Sequence, residues 1–316
     1  MSKEIGFIGL GNMGGRMTAR LVEKGQPVIG YDVRPGLARE LGARPATSVA
    51  DVTETADIVL LSLPDSHVVE AVTGGADGLI AHTRAGQVVV DLSTAAPSST
   101  RAVHGELASR GAAYLDAGIS GGAAAADKGT LTLMVGGDDG ALERARPVLD
   151  CFSARIFHCG ASGSGHTAKL LNNFLNAVSL AATAEVMVAG QKAGLDLGVL
   201  LDIINASSGV NFASLNRFPK IIHGDYLKGG LTNALMMKDV TLYTDLTASL
   251  GVASVNASGP LASFGLAMGL GYADEISNTV VDAIGDVSGG VRLHTPASDT
   301  GLSDTDRGDT DREAGQ

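Results

Sequence analysis

A lysine and an asparagine one helical turn apart are the residues of this chain best suited to chemistry. Lys169 and Asn173 lie in the run GSGHTAKLLNN, where a helix would place the amine and the amide on the same face. Apolar neighbours, namely Leu170, Leu171 and Phe174, indicate that this face is partly buried. Because a buried ammonium group costs free energy, its presence there points to a role in proton transfer.

A glycine-rich loop near the start of the chain predicts a dinucleotide site. The loop follows an apolar stretch, precedes a helical pattern and consists of Gly9, Leu10, Gly11, Asn12, Met13 and Gly14. Gly9 permits a tight turn, Gly11 lets the backbone approach a pyrophosphate, and Gly14 allows the helix and the strand to pack closely. The N-terminus of the helix would supply N–H donors and a positive dipole for the phosphates.

Two charged residues after the next apolar stretch bear on which dinucleotide binds. Asp32 is expected to accept hydrogen bonds from the adenosine ribose and to repel a 2′-phosphate, which favours NAD. Arg34 could instead pair with such a phosphate, so NADP is the alternative cofactor. The following Pro35 and Gly36 also fit a simpler interpretation, in which Asp32 is a turn residue.

Two domains are expected to position these groups. The first half alternates short apolar stretches with helical patterns, which predicts a parallel sheet with helices on both faces. The predicted strands are residues 5–10, 27–32, 57–63, 87–92, 113–117, 130–135 and 155–158. After residue 160 only helical patterns appear, beginning with a long helix that Ser162 or Ser164 could cap and that runs to about Ala193. Further helices are predicted at residues 197–205, 213–223, 232–250 and 260–284.

The predicted fold class is therefore an α/β Rossmann-type N-terminal domain plus an all-α C-terminal domain, joined by a long interdomain helix that carries Lys169. The expected boundaries are residues 1–161 for the dinucleotide-binding domain and 162–292 for the helical domain of substrate binding and dimerisation. The segment 293–316 is rich in Asp, Thr, Ser and Gly and has almost no apolar residues. It cannot bury enough surface to offset its ordering entropy, so we expect it to be disordered.

The overall composition excludes several classes of partner. The 316 residues carry a formal net charge of −11, which argues against binding to nucleic acid or to an anionic membrane. No apolar run reaches the roughly 18 residues that a membrane span needs, and no signal-type stretch follows the first residues. The cysteines Cys151 and Cys159 match no metal motif. We expect them to be buried thiols of a cytoplasmic protein that binds no metal.

Polar and small residues follow three of the predicted strands, at the edge where open α/β sheets bind ligands. Leu63-Pro64 and the run DLST at residues 91–94 could line a ligand. They could also be ordinary strand-to-helix connections, with Asp91 and Ser93 as helix caps. The run Ser120-Gly121-Gly122 could cradle a carboxylate with its hydroxyl and backbone N–H groups, and it could equally be a flexible turn.

Five groups of segments, in order along the chain, closely resemble the β-hydroxyacid dehydrogenase family, which includes 3-hydroxyisobutyrate dehydrogenase and tartronate semialdehyde reductase. They are GFIGLGNMG, DLST, DAGISGG with KGTLTLMVGG, GSGHTAKLLNN and LMMKD. The resemblance extends over about residues 4 to 290. It is specific for the family and leaves the substrate open.

The resemblance implies roles for individual residues. Lys169 matches the family's catalytic lysine, and Asn173 matches the amide that positions the substrate, with Asn172 as a weaker candidate. Lys238 matches a lysine that reaches the cleft from the helical domain, with Asp239 nearby to orient it. The substrate carboxylate would bind at Ser120, Gly121 and Gly122, and the nicotinamide side would be lined by Met13, Leu63, Pro64 and Thr94.

Two further features concern the substrate pocket and the assembly. The loop at residues 207–212 corresponds to one that faces the substrate in relatives, which makes Asn211 and Phe212 candidates for specificity. The chain departs from the family pattern at Gly118, where proline is usual, near the pocket or its supports. Relatives bury apolar surface of the helical domain between subunits, so a homodimer or homotetramer is implied.

The implied activity is the reversible, NAD-dependent oxidation of a small 3-hydroxy acid, with Lys169 as general base in oxidation and general acid in reduction. A free lysine has a pKa of about 10.4, and partial burial beside the positive nicotinamide would lower that pKa towards the useful range. Imine reductases share the architecture but typically have another residue at the lysine position, so Lys169 argues against that alternative. A third possibility is a catalytically inactive dinucleotide-binding module used for protein association.

Overall fold

The computed structural model describes residues 4–227 and 229–294 and divides into a sheet-containing part and a helical part. The strands are β1 Ile5–Ile8, β2 Val28–Tyr31, β3 Arg44–Pro45, β4 Ile58–Leu61, β5 Val88–Asp91, β6 Ala113–Ser120, β7 Leu131–Gly136 and β8 Ser153–Gly160. The helices among the strands are α1 Asn12–Glu23, α2 Leu37–Glu40, α3 Val49–Thr55, α4 Ser66–Thr73, α5 Leu79–His82, α6 Pro97–Ser109, α7 Gly122–Lys128 and α8 Asp139–Leu149. The helices that follow are α9 Ser164–Lys192, α10 Leu197–Asn205, α11 Phe212–Asn216, α12 Phe218–Ile221, α13 Asn233–Ser249, α14 Ser258–Gly269 and α15 Val280–Val287.

The eight strands form one sheet in the order β3-β2-β1-β4-β5-β6-β7-β8. Strands β1 to β6 pair in parallel, as the strand–helix alternation predicts. The prediction of a wholly parallel sheet is wrong at β7, which runs antiparallel to β6, while β8 is parallel to β7. Only α7 and a few flanking residues connect β6 to β7, and a parallel crossover needs about a dozen residues or more.

Buried side chains cover both faces of the sheet. Phe7 and Leu60 pack in one hydrophobic cluster, whereas Ile8 and Leu61, the residues that follow them, pack in a second cluster on the opposite face. This arrangement explains why these strands have nearly continuous apolar sequences. The short edge strand β3 escapes prediction because its two residues are exposed and polar or proline.

The long helix α9 confirms the strongest helical prediction, but its predicted cap is wrong. The N-cap residue is Gly163, with φ at +90°, rather than Ser162 or Ser164. The side chain of Asp116 in β6 accepts hydrogen bonds from the N–H groups of Gly163 at 2.7 Å and His166 at 2.8 Å. A cap supplied by a residue so distant in sequence cannot be read from the local pattern.

Two other predicted helices are each divided. The segment 213–223 contains α11 and α12, and Pro219 lies in the first turn of α12, where a missing N–H does no harm. The segment 260–284 contains most of α14 and most of α15, separated where Gly271 adopts a φ of +92°. The intervening chain includes Ile276, which pairs with Thr232 in an isolated antiparallel bridge.

The helical part has its own hydrophobic core, centred on α9 and closed by α13, α14 and α15. Leu293, the first residue of the predicted tail, is buried in this core. Residues 295–316, which make up the rest of that predicted tail, lie outside the described residues. Within residues 4–227 and 229–294, no helix has both the length and the low charge required to cross a membrane.

Candidate active site

The candidate catalytic lysine lies where the sheet meets the helical part. Lys169 is in the second turn of α9 and is only 6% exposed. Gly118 of β6 lies directly against its stem, since a Cβ on this glycine would be 2.5 Å from the Cβ of Lys169. Gly118, where the family pattern has proline, therefore contacts the candidate catalytic lysine itself. The sequence predicts only that this position lies near the pocket or its supports.

Asn173 and Asp239 connect α9 to α13 beside the lysine. The amide of Asn173 donates a hydrogen bond to Oδ2 of Asp239, and both side chains are buried. The other oxygen, Oδ1 of Asp239, lies 3.2 Å from Nζ of Lys238. The i to i+4 spacing thus brings Lys169 and Asn173 to the same junction, together with two residues of the helical part.

The environment of Lys169 shifts its protonation equilibrium towards neutral pH. Burial in the protein is the main cause and lowers the pKa of Lys169 from 10.5 to about 8. The positive charge of Lys238 lowers that pKa further, and the carboxylate of Asp239 opposes both effects. A lysine with a pKa of about 8 can both accept and return a proton near neutral pH.

Lys238 joins the helical part to two loops of the sheet. Its Nζ donates to the carbonyl oxygens of Pro64 and Thr94, each at 3.1 Å. These are two of the residues predicted to line the nicotinamide, one after β4 and one after β5. The structure therefore brings Lys238 together with the loops at Pro64 and Thr94. These segments are far apart in sequence, and the family resemblance groups them at one cleft.

The residues next to these loops hold them in place rather than capping a helix. Oγ of Ser93 accepts a hydrogen bond from the N–H of Leu63 at 2.9 Å. Asp91 accepts from the N–H of Ser93 and from the buried hydroxyl of Tyr114. The interpretation of Asp91 and Ser93 as helix caps is wrong, because α6 begins only at Pro97.

The glycine loop has the geometry that a dinucleotide phosphate requires. Gly9 has a φ of +89°, and a Cβ on Gly14 would be 1.9 Å from the carbonyl oxygen of Gly9, so neither position accepts a side chain. Gly11 is the N-cap of α1, where no side chain caps the helix and no acidic residue occupies the first turn. The N–H groups of Asn12 and Met13 therefore begin a helix whose positive end suits an anion.

Asp32 and Arg34 lie together at the rim of this loop. Asp32 accepts hydrogen bonds from the N–H groups of Leu10 at 2.8 Å and Arg34 at 2.9 Å, which fixes its carboxylate beside the loop. The guanidinium of Arg34 lies 3.3 Å from the same carboxylate and is mostly exposed. A carboxylate suited to ribose hydroxyls and a cation suited to a phosphate are thus neighbours, and the site accommodates NAD with NADP as an alternative.

The serine–glycine run lies at the carboxyl end of β6. Ser120 ends the strand, and Gly121 and Gly122 have φ values of +122° and +67°, which only glycine adopts readily. Strands β4, β5 and β6 are parallel, so this run lies at the same edge of the sheet as Pro64 and Thr94. The turn between β6 and α7 is therefore shaped by its glycines and borders the cleft.

The structure places the two predicted specificity residues at the start of α11, and neither lies directly beside Lys169. Asn211 caps α11 and exchanges hydrogen bonds with Thr183. Thr183 lies fourteen residues beyond Lys169 on α9, about 21 Å at 1.5 Å per residue. Phe212 is 59% exposed and lies 5.7 Å from the guanidinium of Arg217. Within one chain, Asn211 therefore lies away from Lys169, because α11 packs near the middle of α9, whereas Phe212 lies against Arg217, whose partner Asn176 is closer to Lys169 on the same helix.

Sequence reasoning missed Asp116 as a support of the site. Its fully buried carboxylate fixes the start of α9 against β6, the two elements that carry Lys169 and Ser120. The available signal was an acidic residue inside an otherwise apolar strand, which requires partners. His166, also fully buried, pairs with Thr100 at 2.7 Å and supports the same junction.

Comparisons with known proteins agree with this geometry. Residues 4–160 match the family model for the NAD-binding domain of 6-phosphogluconate dehydrogenase. Residues 163–274 match the model described as the NAD-binding region of NADP-dependent 3-hydroxyisobutyrate dehydrogenase. An NAD-dependent L-serine dehydrogenase of Pseudomonas aeruginosa is 40% identical over 86% of this chain and 94% of its own length.

Solved structures give the same result. The Mycobacterium tuberculosis 3-hydroxyisobutyrate dehydrogenase with L-serine is 34% identical, covers 89% of this chain and 98% of its own, and superimposes with a TM-score of 0.80. An imine reductase from Myxococcus stipitatus has a TM-score of 0.61 at 17% identity, over 90% of this chain and the whole of its own, and shares the fold alone. The glycine loop, the buried lysine and these similarities together place the chain in the β-hydroxyacid dehydrogenase family.

Proposed function

We propose that this protein is an NAD-dependent dehydrogenase of small 3-hydroxy acids in which Lys169 is the general acid and base. The observation that carries the proposal is a buried lysine, with a pKa lowered to about 8, at the junction of the nucleotide-binding sheet and the helical part. Imine reductase activity has no comparable support. Lys169 matches the lysine of the dehydrogenases, and the imine reductases share only the fold with this chain.

The residues around the lysine divide the remaining tasks. Ser120, Gly121 and Gly122 hold the substrate carboxylate through the serine hydroxyl and backbone N–H groups. Asn173 offers its amide to the substrate hydroxyl, while Asp239 holds that amide in place. Lys169 removes the hydroxyl proton in oxidation and returns it in reduction.

The cofactor is held by residues from both parts of the chain. Its phosphates bind at the N-terminus of α1, and its adenosine ribose binds at Asp32 beside Arg34. A nicotinamide bound there would supply the acceptor for the hydride of the carbinol carbon. The residues proposed to bind the cofactor are Gly9, Gly11, Asn12, Met13, Gly14, Asp32, Arg34, Leu63, Pro64, Thr94 and Lys238.

The NADH absorbance at 340 nm provides the test of this function. Purified protein is mixed with NAD, or separately with NADP, and a panel that includes 3-hydroxyisobutyrate, L-serine, glycerate and 3-hydroxybutyrate. We expect oxidation of at least one acid, with a lower KM for NAD than for NADP. Failure to oxidise any 3-hydroxy acid, or to reduce any corresponding aldehyde or ketone, would contradict the proposal.

We further propose that the enzyme is a cytoplasmic homodimer or homotetramer. Both cysteines are unpaired, Cys151 buried and Cys159 exposed, which suits a reducing compartment; the exposure of Cys159 corrects the expectation that both are buried. Exposed apolar side chains are concentrated in the helical part, as at Val199, Ile203 and Val255.

We assign residues 1–161 to cofactor binding and 162–292 to substrate binding and assembly. Light scattering during gel filtration that gives a monomer mass would contradict the assembly.

A further inference from the structure

One cation near the candidate site has no function in the scheme above. Arg217 follows α11 and is half-buried between α9 and the segment before α15. Its Nη1 donates to Oδ1 of Asn278 at 2.9 Å, and its Nη2 donates to Oδ1 of Asn176 at 3.0 Å. Phe212 lies against the guanidinium, with its ring centre at 5.7 Å.

The partners of Arg217 are neutral. Among the residues that the structure describes, no carboxylate lies within ion-pair distance of its guanidinium, and its pKa is lowered by burial. By contrast, Arg292 in the same helical part pairs with Asp282 and Asp286. Two amide oxygens orient the guanidinium of Arg217 but leave its charge uncompensated, which is the state of a site prepared for an anion.

The partner of Arg217 on α9, Asn176, lies about one helical turn beyond the candidate catalytic residue Asn173. Lys169, Asn173 and Asn176 are at positions i, i+4 and i+7 of α9, so they share one face of that helix. Asn176, which holds the guanidinium, is therefore about 10 Å from Lys169 along the helix axis. A substrate with its hydroxyl at Lys169 and a short aliphatic arm can reach this far with a hydrogen bond at each end.

The second partner of Arg217 connects it to the chain segment that follows α12. Asn278, the second partner of Arg217, donates to the carbonyl oxygen of Tyr226 at 2.8 Å. Three residues after Tyr226, the carbonyl oxygen of Gly229 accepts a hydrogen bond from Asn12 of the cofactor loop at 3.5 Å. Arg217 thus contacts the helix that carries Lys169 directly and, through Asn278, the carbonyl oxygen of Tyr226.

We propose that Arg217 binds a second carboxylate of the substrate, so that the preferred substrates are dicarboxylic 3-hydroxy acids whose second acid group is carried on a short aliphatic arm. This inference rests on the proposed function, since it names the class of acid that the same site oxidises. The first carboxylate binds at Ser120, Gly121 and Gly122, and the second pairs with the guanidinium while Asn176 and Asn278 keep it oriented. Lys169 exchanges the proton of the substrate hydroxyl.

Three acids that differ in one arm test the proposal. All contain a carboxylate and a hydroxymethyl group on the same carbon: 3-hydroxyisobutyrate has a methyl arm, 2-(hydroxymethyl)pentanoate a propyl arm, and 2-(hydroxymethyl)glutarate a carboxyethyl arm. The last two have arms of similar length and differ in charge. We expect kcat/KM with NAD to be about 10-fold to 100-fold higher for the dicarboxylate than for the propyl acid, as a charge-assisted pair would give.

Variants of Arg217 and its partner separate recognition from folding. We expect Arg217→Gln to abolish the preference through a higher KM for the dicarboxylate, with about twofold change at most for the other two acids. Asn176→Asp keeps the arginine and places a carboxylate against it, so it should also abolish the preference while the fold is retained. Arg110 is exposed and lies just before β6, at the edge of the sheet opposite to Ser120. Arg110→Gln should therefore leave the preference unchanged.

Two results would overturn the assignment. The first is a wild-type enzyme that oxidises the propyl acid as well as the dicarboxylate. The second is an Arg217→Gln or Asn176→Asp variant that retains the preference or loses the same factor on all three acids, since a structural arginine would have that effect. Oxidation of any acid in the panel that depends on Lys169 supports the dehydrogenase function whichever way the preference falls.

Discussion

At the scale of single residues, the protein depends on an ammonium group in a place that disfavours its charge. Lys169 is buried against Gly118, and Asp239 and Lys238 act on it with opposite sign. The balance leaves a pKa of about 8 rather than 10.5. This property makes the lysine useful as a base and also imposes a cost on folding, and each effect can be measured.

The first prediction concerns the rate of oxidation as a function of pH. Oxidation requires the neutral amine of Lys169, so kcat/KM for the hydroxy acid at saturating NAD should rise about tenfold per pH unit and level off near or below pH 8. Reduction requires the ammonium form and should fall as the pH rises through the same range. Profiles that are flat from pH 6 to 9 in both directions would show that another group exchanges the proton.

The second prediction concerns stability. Between pH 8 and 10.5 the unfolded chain retains a proton that the native lysine has released, so stability rises with pH across that window. Below pH 8 both states are protonated, and the native protein bears the full cost of the buried charge. Lys169→Met should therefore raise the free energy of unfolding at pH 7 by about 1–3 kcal/mol, with a smaller gain near pH 10. Urea unfolding at both pH values is the measurement, and a variant less stable than wild type at pH 7 would contradict the account.

At the scale of secondary-structure elements, the site depends on how β6 and α9 meet. Asp116 in β6 accepts two N–H groups at the start of α9, and these two elements carry Ser120 and Lys169. The carboxylate thus sets the distance between the proposed carboxylate cradle and the base. No cation pairs with it among the described residues, and the positive end of the 29-residue helix compensates its charge.

The third prediction follows from that junction. Asp116→Ala leaves two buried N–H groups without acceptors and should lower the free energy of unfolding by about 2–4 kcal/mol in urea. Asp127→Ala, which removes an exposed acidic residue paired with Arg16, should cost less than about 1 kcal/mol and serves as the control. An Asp116→Ala variant that unfolds at the same urea concentration as the control would contradict the role of this carboxylate.

The sequence predicts the elements better than it predicts how they contact one another. The glycine loop and the period of α9 identify the cofactor turn and the helix that carries Lys169, because both signals are local. The direction of β7 and the capping of α9 by Asp116 depend on pairings between distant segments, which apolar strand patterns do not encode. The same limit applies to Arg217, whose partners Asn176 and Asn278 are far from it in sequence.

At the scale of the whole molecule, two folded parts form one cleft through a few specific contacts. Lys238 reaches from α13 to the carbonyl oxygens of Pro64 and Thr94, and Asn12 reaches from the glycine loop to Gly229. These contacts join the two parts at the loops that we propose bind the cofactor. Changes in this interface should therefore affect cofactor binding more than overall stability.

The fourth prediction tests that interface. Lys238→Met removes the donor to both loops, and we expect the KM for NAD to rise about tenfold. Lys220→Met, in the exposed part of α12, is the matched control and should leave the KM for NAD unchanged. Equal values of KM for the two variants would mean that Lys238 does not help to position the cofactor.

The central claim, that Lys169 exchanges the proton of the substrate hydroxyl, is tested most directly by the turnover of Lys169→Ala. The variant is assayed at saturating NAD with the best acid of the panel, and its affinity for NADH is measured by fluorescence, for which the absence of tryptophan leaves a low background. We predict a loss of roughly 100-fold or more in kcat, with NADH affinity unchanged within about threefold. Near-normal turnover in a variant that binds NADH normally would contradict the account.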